Sequence, residues 1–255
     1  MYQVDAFAEK VFQGNPAAVI VSENPLDDNL MLSIAQENNL SETAYVIPQP
    51  DGSYGLRWYT PGGEVDLCGH ATLASAHVLS QELKLAGPYR FQTRSGLLIA
   101  QPSNEAYIMD FPGDFPTICE TSLLDGILDQ SIKKVLEGKD DYLVILENED
   151  AVANCKPDFR AMLSLSKRGV IISAVGKEHD IVSRCFYPAY AIDEDPVTGS
   201  AHTVLTSYWT MELKKNIIQA RQISKRGGNL TCIFKGERVA LMGKAVTYMK
   251  AEITV

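Results

Sequence analysis

Two short segments, about half the chain apart, begin alike and restrict the fold more than any other feature. "CGHATLASAHVL" starts at Cys68 and "TGSAHTVLTSYW" starts at Thr198. Each places a glycine before small and apolar residues at helical spacing, which predicts a helix that begins at the glycine. The first turn of a helix leaves backbone N–H groups unpaired at the positive end of the dipole. Two such helix starts that face each other would bind a small carboxylate or phosphate.

The rest of the chain alternates between strand-like and helix-like segments. Residues 27–39 predict a helix, because Asp27 or Asp28 can cap it and two asparagines end it. The glycine-led segments predict further helices over residues 68–83 and 198–213. Strand-like segments lie at residues 17–22, 43–47, 55–60, 142–146 and 170–175.

The length of 255 residues allows one large domain or two of ordinary size. Pro112 and Gly113 interrupt the pattern near the middle of the chain. We therefore predict an N-terminal domain over residues 1–111 and a C-terminal domain over residues 112–255. In this prediction the last strand of the chain can return to the first domain.

The composition indicates an ordinary globular protein, with 45% hydrophobic and 22% charged residues. No apolar run approaches the roughly 20 residues of a membrane-spanning helix, so we expect no membrane partner. The first residues lack a secretory signal, and five cysteines without a C-x-x-C pair suit a reducing compartment, so we expect a cytoplasmic protein. A formal charge of -9 disfavours nucleic acid as a partner.

Glu42, in "NNLSETAYV", lies where a predicted helix has ended and an apolar strand begins. A carboxylate at this point can be a solvated turn residue. The alternative is a general base whose pKa is raised by partial burial, so that it takes and returns a proton near neutral pH. The residues alone leave both interpretations open.

His70 follows Gly69 at the start of the first glycine-led helix. The helix dipole opposes a positive charge there, so we expect a neutral imidazole that donates one hydrogen bond and accepts another. A structural histidine is the alternative. Cys68 and His70 together lack a second ligand cluster, and we predict no metal site.

Asp195 and Ser200 flank the start of the second glycine-led helix, in "DPVTGSAH". Asp195 can be a solvated loop carboxylate or a second acid or base. Ser200 follows Gly199 and can offer its hydroxyl and N–H groups to an anion, or be an ordinary helix-start serine. The chain has no G-x-S-x-G nucleophile elbow and no glycine-rich phosphate loop.

Four separated motifs, taken together and in order, resemble the phenazine-biosynthesis PhzF-like family. They are "DAFAEKVFQGNPAAV", "NNLSETAYV", "RWYTPGGEVDLCGHATLASA" and "DPVTGSAH". The resemblance implies an α+β fold like that of diaminopimelate epimerase, with two similar domains. Each domain would be a curved, mostly antiparallel sheet wrapped around a central helix, with the active site in the cleft between domains. The resemblance is compatible with a homodimer, although no segment marks an interface.

The resemblance further implies a cofactor-independent isomerase acting on a small carboxylate-bearing substrate. In the best-known member, the substrate is a hydroxylated dihydroaromatic amino acid. Glu42 would remove a proton from one carbon and return it to another, while His70 and Asp195 would handle the polar groups of the substrate and the transferred charge. The residues that would bind the substrate are Cys68, Gly69, Gly199 and Ser200.

One departure from the related epimerases narrows the mechanism. Those enzymes use two facing cysteines as paired bases, one before each of the two glycines. At these two positions this chain has Cys68 and Thr198, so the second cysteine is absent. A threonine hydroxyl cannot act as a base near neutral pH, so a one-sided shuttle through Glu42 fits better. Cys68 could be a second acid if the helix start lowers its pKa. A lyase that removes water from a hydroxy acid and a catalytically silent carboxylate-binding protein are the alternatives.

Overall fold

The computed structural model describes all residues from 1 to 255. The chain forms two compact units, one made of Met1–Asp110 with Met242–Val255 and the other of Phe111–Leu241. The sequence-based division placed residues 242–255 in the second domain unless the last strand crossed back, and in the structure they group with the first unit. No helix is both long and apolar enough to cross a membrane.

The first unit contains two helices and most of its strands before residue 112. Its helices are α1 (Asp28–Asn38) and α2 (Gly69–His77). Its strands are β1 (Tyr2–Ala6), β2 (Asn15–Val21), β3 (Glu42–Pro48), β4 (Tyr54–Thr60), β5 (Gly63–Val65), β6 (Tyr89–Thr93), β7 (Gly96–Ser103), and the boundary-crossing β8 (Ala106–Pro112) and β17 (Arg238–Lys250).

The second unit contains three helices and the remaining strands. Its helices are α3 (Glu149–Asn154), α4 (Phe159–Met162) and α5 (Gly199–Leu213). Its strands are β9 (Thr117–Cys119), β10 (Ile132–Glu137), β11 (Asp141–Leu146), β12 (Gly169–Val175), β13 (Ile181–Tyr187), β14 (Ile192–Asp195), β15 (Ile217–Gln222) and β16 (Gly228–Phe234).

The two units repeat one order of elements. Strands β2 and β3 are parallel and α1 connects them, and β4 and β6 are parallel with α2 between them in the chain. In the second unit, β11 and β12 are parallel, and α3 and α4 lie between them in the chain. Strands β13 and β15 are also parallel, and α5 lies between them in the chain. The hairpin-connected neighbours are antiparallel. The predicted α+β class with mostly antiparallel sheets is confirmed.

The helices α2 and α5 are the central helices of their units. Every residue of α2 after Gly69 is buried, and α5 is buried from residue 201 to residue 210. A helix buried on all sides needs packing partners around its circumference. Helix α2 contacts β1, β2, β3 and β7, while α5 contacts β11, β15 and β16. Strand β17 pairs with both β1 and β8, which closes the first sheet around α2.

The first central helix is shorter than predicted. The sequence pattern indicated a helix over residues 68–83, but α2 ends at His77 and a π-helical turn follows over Val78–Glu82. Apolar spacing alone does not distinguish the two kinds of turn, because both keep Val78 and Leu79 buried. The second central helix has the predicted end at Leu213.

Each central helix carries a buried histidine that is neutral at pH 7. Burial lowers the pKa of His77 to about 4, and Nε2 of this ring lies 3.0 Å from Oγ1 of Thr247. Burial likewise lowers the pKa of His202 to about 4, although its Nδ1–H donates to the carbonyl oxygen of Thr198 at 2.7 Å. The lowered pKa values of both rings therefore belong to the folded chain only, because unfolding exposes the rings to water.

These two histidines predict a loss of stability in mild acid. The unfolded chain takes up protons near the ordinary pKa of 6.5, and the folded chain only near pH 4. Stability should therefore be full above pH 6.5 and fall as the pH drops to 4, by about 3 kcal/mol for each histidine. Chemical denaturation of the wild type and of His202→Gln at pH 7 and 4.5 checks this. An equal loss in both proteins would contradict the assignment to His202.

Candidate active site

Glu42 is the first residue of β3 and lies beside a buried strand. Asn39 ends α1 in the left-handed conformation, with a φ of 48°, so the chain can turn directly into β3. In the parallel register, Glu42 lies opposite Ala17 of β2. The side chain is only 15% exposed. The interpretation of Glu42 as a solvated turn residue is therefore wrong, because its carboxylate lies against the packed strands.

The carboxylate of Glu42 forms an ion pair with His70. Oε2 of Glu42 lies 3.0 Å from Nε2 of His70. Both atoms are buried, and neither has another hydrogen-bonding partner. His70 is the second residue of α2 and is itself buried. The first strand after α1 and the start of the central helix thus bring the two titratable groups together.

The opposite nitrogen of His70 contacts a buried amide and a buried thiol. Nδ1 lies 3.3 Å from Nδ2 of Asn15 and 3.5 Å from Sγ of Cys68. Gly14 precedes Asn15 with a φ of 66°, and a Cβ there would lie 2.1 Å from the carbonyl oxygen of Ala6. Only glycine fits this position, and it directs Asn15 towards the ring. Sequence analysis assigned no role to Asn15, although its "GNP" segment belongs to the motif that carried the family resemblance.

The environment of His70 raises its pKa well above the ordinary value. Burial alone would lower the pKa, but Cys68 and Glu42 outweigh burial and favour the imidazolium. Glu42 is the partner that we hold responsible, because burial keeps Cys68 a neutral thiol. A carboxylate at 3.0 Å acts against the effect of the helix dipole, on which the prediction of a neutral ring was based. The charge of His70 in the free protein remains a prediction.

Cys68 is a thiol rather than a thiolate near neutral pH. Burial raises the pKa of Cys68 and the Glu42 carboxylate raises it further, while His70 lowers it by less. The condition under which Cys68 could act as a second acid, a lowered pKa, is therefore not met by these surroundings. Glu42, Cys68 and His70 lie close enough to suggest a metal site. Glu42 and Cys68 contact opposite nitrogens of the imidazole, so both ring nitrogens are already engaged with protein groups.

In the second unit, Asp195 ends β14 and is held in a fixed turn before α5. The hydroxyl of Thr198 donates a hydrogen bond to the Asp195 carboxylate. Buried Gln222 donates to the carbonyl oxygen of Asp195 at 2.7 Å and accepts from the N–H of Thr198 at 2.9 Å. Asp195 is buried, so it is no solvated loop carboxylate.

Ser200 is the second residue of α5 and is hydrogen bonded to an arginine. Its Oγ accepts a hydrogen bond of 2.8 Å from Nη2 of Arg168. Arg168 in turn makes two hydrogen bonds to the carboxylate of Asp141, at 2.9 and 2.8 Å. The sequence showed no signal for Arg168 or Asp141, because both lie on segments far from Ser200 in the chain.

The two central helices differ from the other helices at their first turns. Side chains of Asp27, Asn148 and Asp158 cap α1, α3 and α4. No side chain caps α2 or α5, which begin at Gly69 and Gly199. Their first N–H groups thus remain available for an anionic ligand, as expected of anion-binding helix starts.

The predicted site residues fall into two groups, one in each unit. Within the first unit, Glu42, Cys68, Gly69 and His70 form one cluster. Within the second unit, Asp195, Gly199 and Ser200 surround the start of α5. Their roles in binding or catalysis remain predictions.

Curved sheets around central helices with uncapped glycine starts define a protein of the epimerase-fold class. The chain resembles a probable proline racemase from Agrobacterium radiobacter, with a TM-score of 0.64 over 100% of this chain and 92% of that one. At 10% identity this similarity shows the fold alone. Residues 4–251 match the family model described as phenazine biosynthesis-like protein, PhzC-PhzF. The chain belongs to this family, which confirms the resemblance found in the sequence.

Two relatives from the same comparisons cover almost the whole chain. An uncharacterized isomerase of Pseudomonas aeruginosa is 48% identical, over 99% of this chain and 98% of the relative. A crystal structure of a PhzF-family protein from Enterococcus faecalis has a TM-score of 0.96 and 44% identity, covering 100% of this chain and 98% of that one. These findings support an isomerase-type activity.

The cluster predicts that Glu42 controls the protonation of His70. Glu42→Gln removes the carboxylate that lies 3.0 Å from Nε2 and raises the pKa of His70. The pKa should therefore fall, because burial lowers it and the Glu42 charge no longer offsets that effect. An NMR titration of the His70 ring, assigned with His70→Asn, measures this. Glu37→Gln, on the exposed side of α1, is the matched control and should leave the pKa unchanged. An unchanged pKa in Glu42→Gln would show that another group charges the ring.

Proposed function

We propose that the protein is an isomerase that moves a proton between two carbons of a small carboxylate-bearing substrate. Glu42 acts as the general acid and base. The ion pair between buried Oε2 of Glu42 and Nε2 of His70 is the observation that carries this proposal. A carboxylate in a nearly dry site, next to a group that stabilises its charge, is suited to reversible proton transfer.

The ion pair assigns different tasks to the two oxygens of Glu42. Oε2 is occupied by the contact with His70, and Oε1 is the oxygen that we assign to the substrate carbon. Oε1 takes a proton as a C–H bond breaks, and the electron pair moves into the unsaturated system of the substrate. Glu42 then delivers a proton to another carbon, which is the same proton unless it has exchanged with solvent in the meantime. The step is neutral in electrons, so it needs no oxidant or reductant.

His70 has a role both before and during this transfer. Its raised pKa keeps it cationic beside the carboxylate before the reaction. When Glu42 holds the substrate proton, the cation can instead stabilise negative charge that develops on the substrate. Asn15 and Cys68 lie against the opposite, Nδ1 side of the ring and limit its movement.

The two-thiol mechanism of related epimerases finds little support in these residues. Burial raises the pKa of Cys68, which makes it a poor base near neutral pH. At the corresponding position, the hydroxyl of Thr198 already donates its proton to Asp195. A mechanism in which Glu42 is the single base therefore agrees better with the residues at both helix starts than a mechanism with two bases.

The substrate carboxylate is proposed to bind at uncapped helix starts. The first N–H groups of α2 lie next to the Glu42 cluster, and Gly199 and Ser200 present a second such start. The family resemblance predicts that both groups of residues face one substrate, and this remains a prediction.

The decisive substitution is Glu42→Gln, which keeps the shape of the side chain but removes its basicity. A panel of small carboxylates, including hydroxy and amino acids, is incubated with protein in deuterated water and analysed by mass spectrometry. We expect the wild type to introduce solvent deuterium at carbon of one compound. Glu42→Gln should slow this exchange by about 10²- to 10⁴-fold and retain binding.

Glu37→Gln is the matched control, because this exposed glutamate lies on α1 away from the cluster. Full exchange activity in Glu42→Gln would refute the proton shuttle. Loss of the mass of one water molecule with a new double bond would identify a lyase. Binding of a carboxylate without any exchange by the wild type would identify a silent binding protein.

A further inference from the structure

Arg168 has an unusual distribution of hydrogen bonds. One edge of its planar guanidinium group, formed by Nε and Nη2, binds the carboxylate of Asp141 at 2.9 and 2.8 Å. The second hydrogen of Nη2 is donated to Oγ of Ser200 at 2.8 Å. Nη1 has no partner within the protein. Because Nη1 and Nη2 form the end of one rigid fork, an outward N–H of Nη1 points parallel to the bond that reaches Ser200.

Arg184, in the same unit, provides an internal comparison. It also binds a carboxylate through Nε and Nη2, here Glu194 at 2.7 and 2.9 Å, and also lies over an aromatic ring. Its Nη1, however, donates to the carbonyl oxygens of Val152 and Cys155 at 3.2 and 2.8 Å. Arg184 therefore uses its donors within the fold, whereas Arg168 leaves one pair of donors unused next to Ser200.

The surroundings of Arg168 hold it rigidly in this orientation. Asp141 is buried, and its bidentate contact fixes the plane of the guanidinium group. Tyr187 lies beneath that group, with 5.3 Å between Cζ and the ring centroid. The next residue is Gly169, where a Cβ would lie 2.2 Å from the Tyr187 ring, so a larger residue would displace the ring. The side chain of Arg168 nevertheless remains 31% exposed, which leaves its free end accessible.

The contact with Arg168 also determines the direction of the Ser200 hydroxyl hydrogen. The guanidinium group donates to Oγ, so the hydroxyl cannot direct its own hydrogen at Arg168 and must donate elsewhere. A hydrogen bond received from a cation also polarises the hydroxyl and makes it a stronger donor. Nη1–H and the Ser200 hydroxyl thus form two adjacent donors without an acceptor in the chain.

We propose that Arg168 and Ser200 bind the carboxylate of the substrate through these two donors, and that Asp141 is a positioning residue that orients Arg168. A carboxylate offers two oxygens at a spacing that matches two neighbouring donors. The inference rests on the proposed function only in taking a carboxylate as the charged group of the substrate. It adds Arg168 and Asp141 to the residues that recognise this group.

The test measures binding rather than turnover, so it does not depend on Glu42. The probes are 2-aminobenzoate, a planar amino carboxylate, and its neutral counterpart 2-aminobenzamide, and calorimetry gives their affinities. The wild type should bind the acid about tenfold or more tightly than the amide, as expected for charge-assisted hydrogen bonds. Glu42→Gln should keep this preference, which separates the outcome from that of the proton shuttle.

Two substitutions should remove the preference for the acid. Arg168→Lys keeps a cation next to Asp141 but has no planar fork that can bind Ser200 and a carboxylate together. Ser200→Ala removes the second donor without touching the buried ion pair, so it decides the question if Arg168→Lys fails to fold. Either variant should reduce the ratio of the two affinities to within about threefold. Arg184→Lys is the matched control and should behave as the wild type.

The opposite results are equally clear. Equal affinity of the wild type for both probes, or no binding of 2-aminobenzoate, would overturn the assignment of a carboxylate site to Arg168 and Ser200. An unchanged preference in folded Arg168→Lys and Ser200→Ala would do the same. A loss of preference in Arg184→Lys would show that the effect comes from general disturbance of the unit.

Discussion

The buried contact between Glu42 and His70 is the interaction on which the proposed chemistry of this protein depends. Burial alone disfavours a charge on either group, and each group stabilises the charge of the other at 3.0 Å. In the proposed reaction, Glu42 takes up a substrate proton and the charge of His70 is then balanced by negative charge that develops on the substrate. The position of Glu42 at the beginning of β3 and of His70 at the beginning of α2 makes the pair a direct product of the fold.

The repeated order of elements explains why such a contact can form. A helix that connects parallel strands packs against the sheet, and both central helices are buried along most of their length without a side-chain cap at the first turn. Glycine begins both central helices, while the three peripheral helices have side-chain caps. Each unit therefore combines a closely packed central helix with a first turn that no side chain caps.

Local sequence patterns were sufficient to predict several of these features. The starts of α2 and α5 follow from glycine and apolar spacing, and Glu42 was identified because a carboxylate precedes an apolar strand. The charge on His70 was not predictable, because it depends on the distance to Glu42, which lies on another element. Thr198 was excluded as a base by the chemistry of its hydroxyl, and its hydrogen bond to Asp195 could be seen only from the turn geometry.

Residues whose role depends on long-range contacts gave no signal in the sequence. Arg168 meets Asp141 and Ser200 only after strand pairing brings β11 and β12 together and α5 packs against β11. Gln222 likewise reaches Asp195 from the end of β15. Asn15 is the intermediate case, because its motif was noticed but its contact with Nδ1 of His70 was not. Spacing rules apply within an element, and these contacts join different elements.

The central claim is that a single carboxylate, Glu42, carries a proton from one substrate carbon to another within a site that holds little water. Its most direct test is a single turnover with a substrate that carries deuterium at the carbon that loses its proton. The account predicts that a measurable part of this deuterium appears at the receiving carbon of the product, since the same oxygen accepts and returns it. Complete replacement of the deuterium by solvent hydrogen would contradict the account.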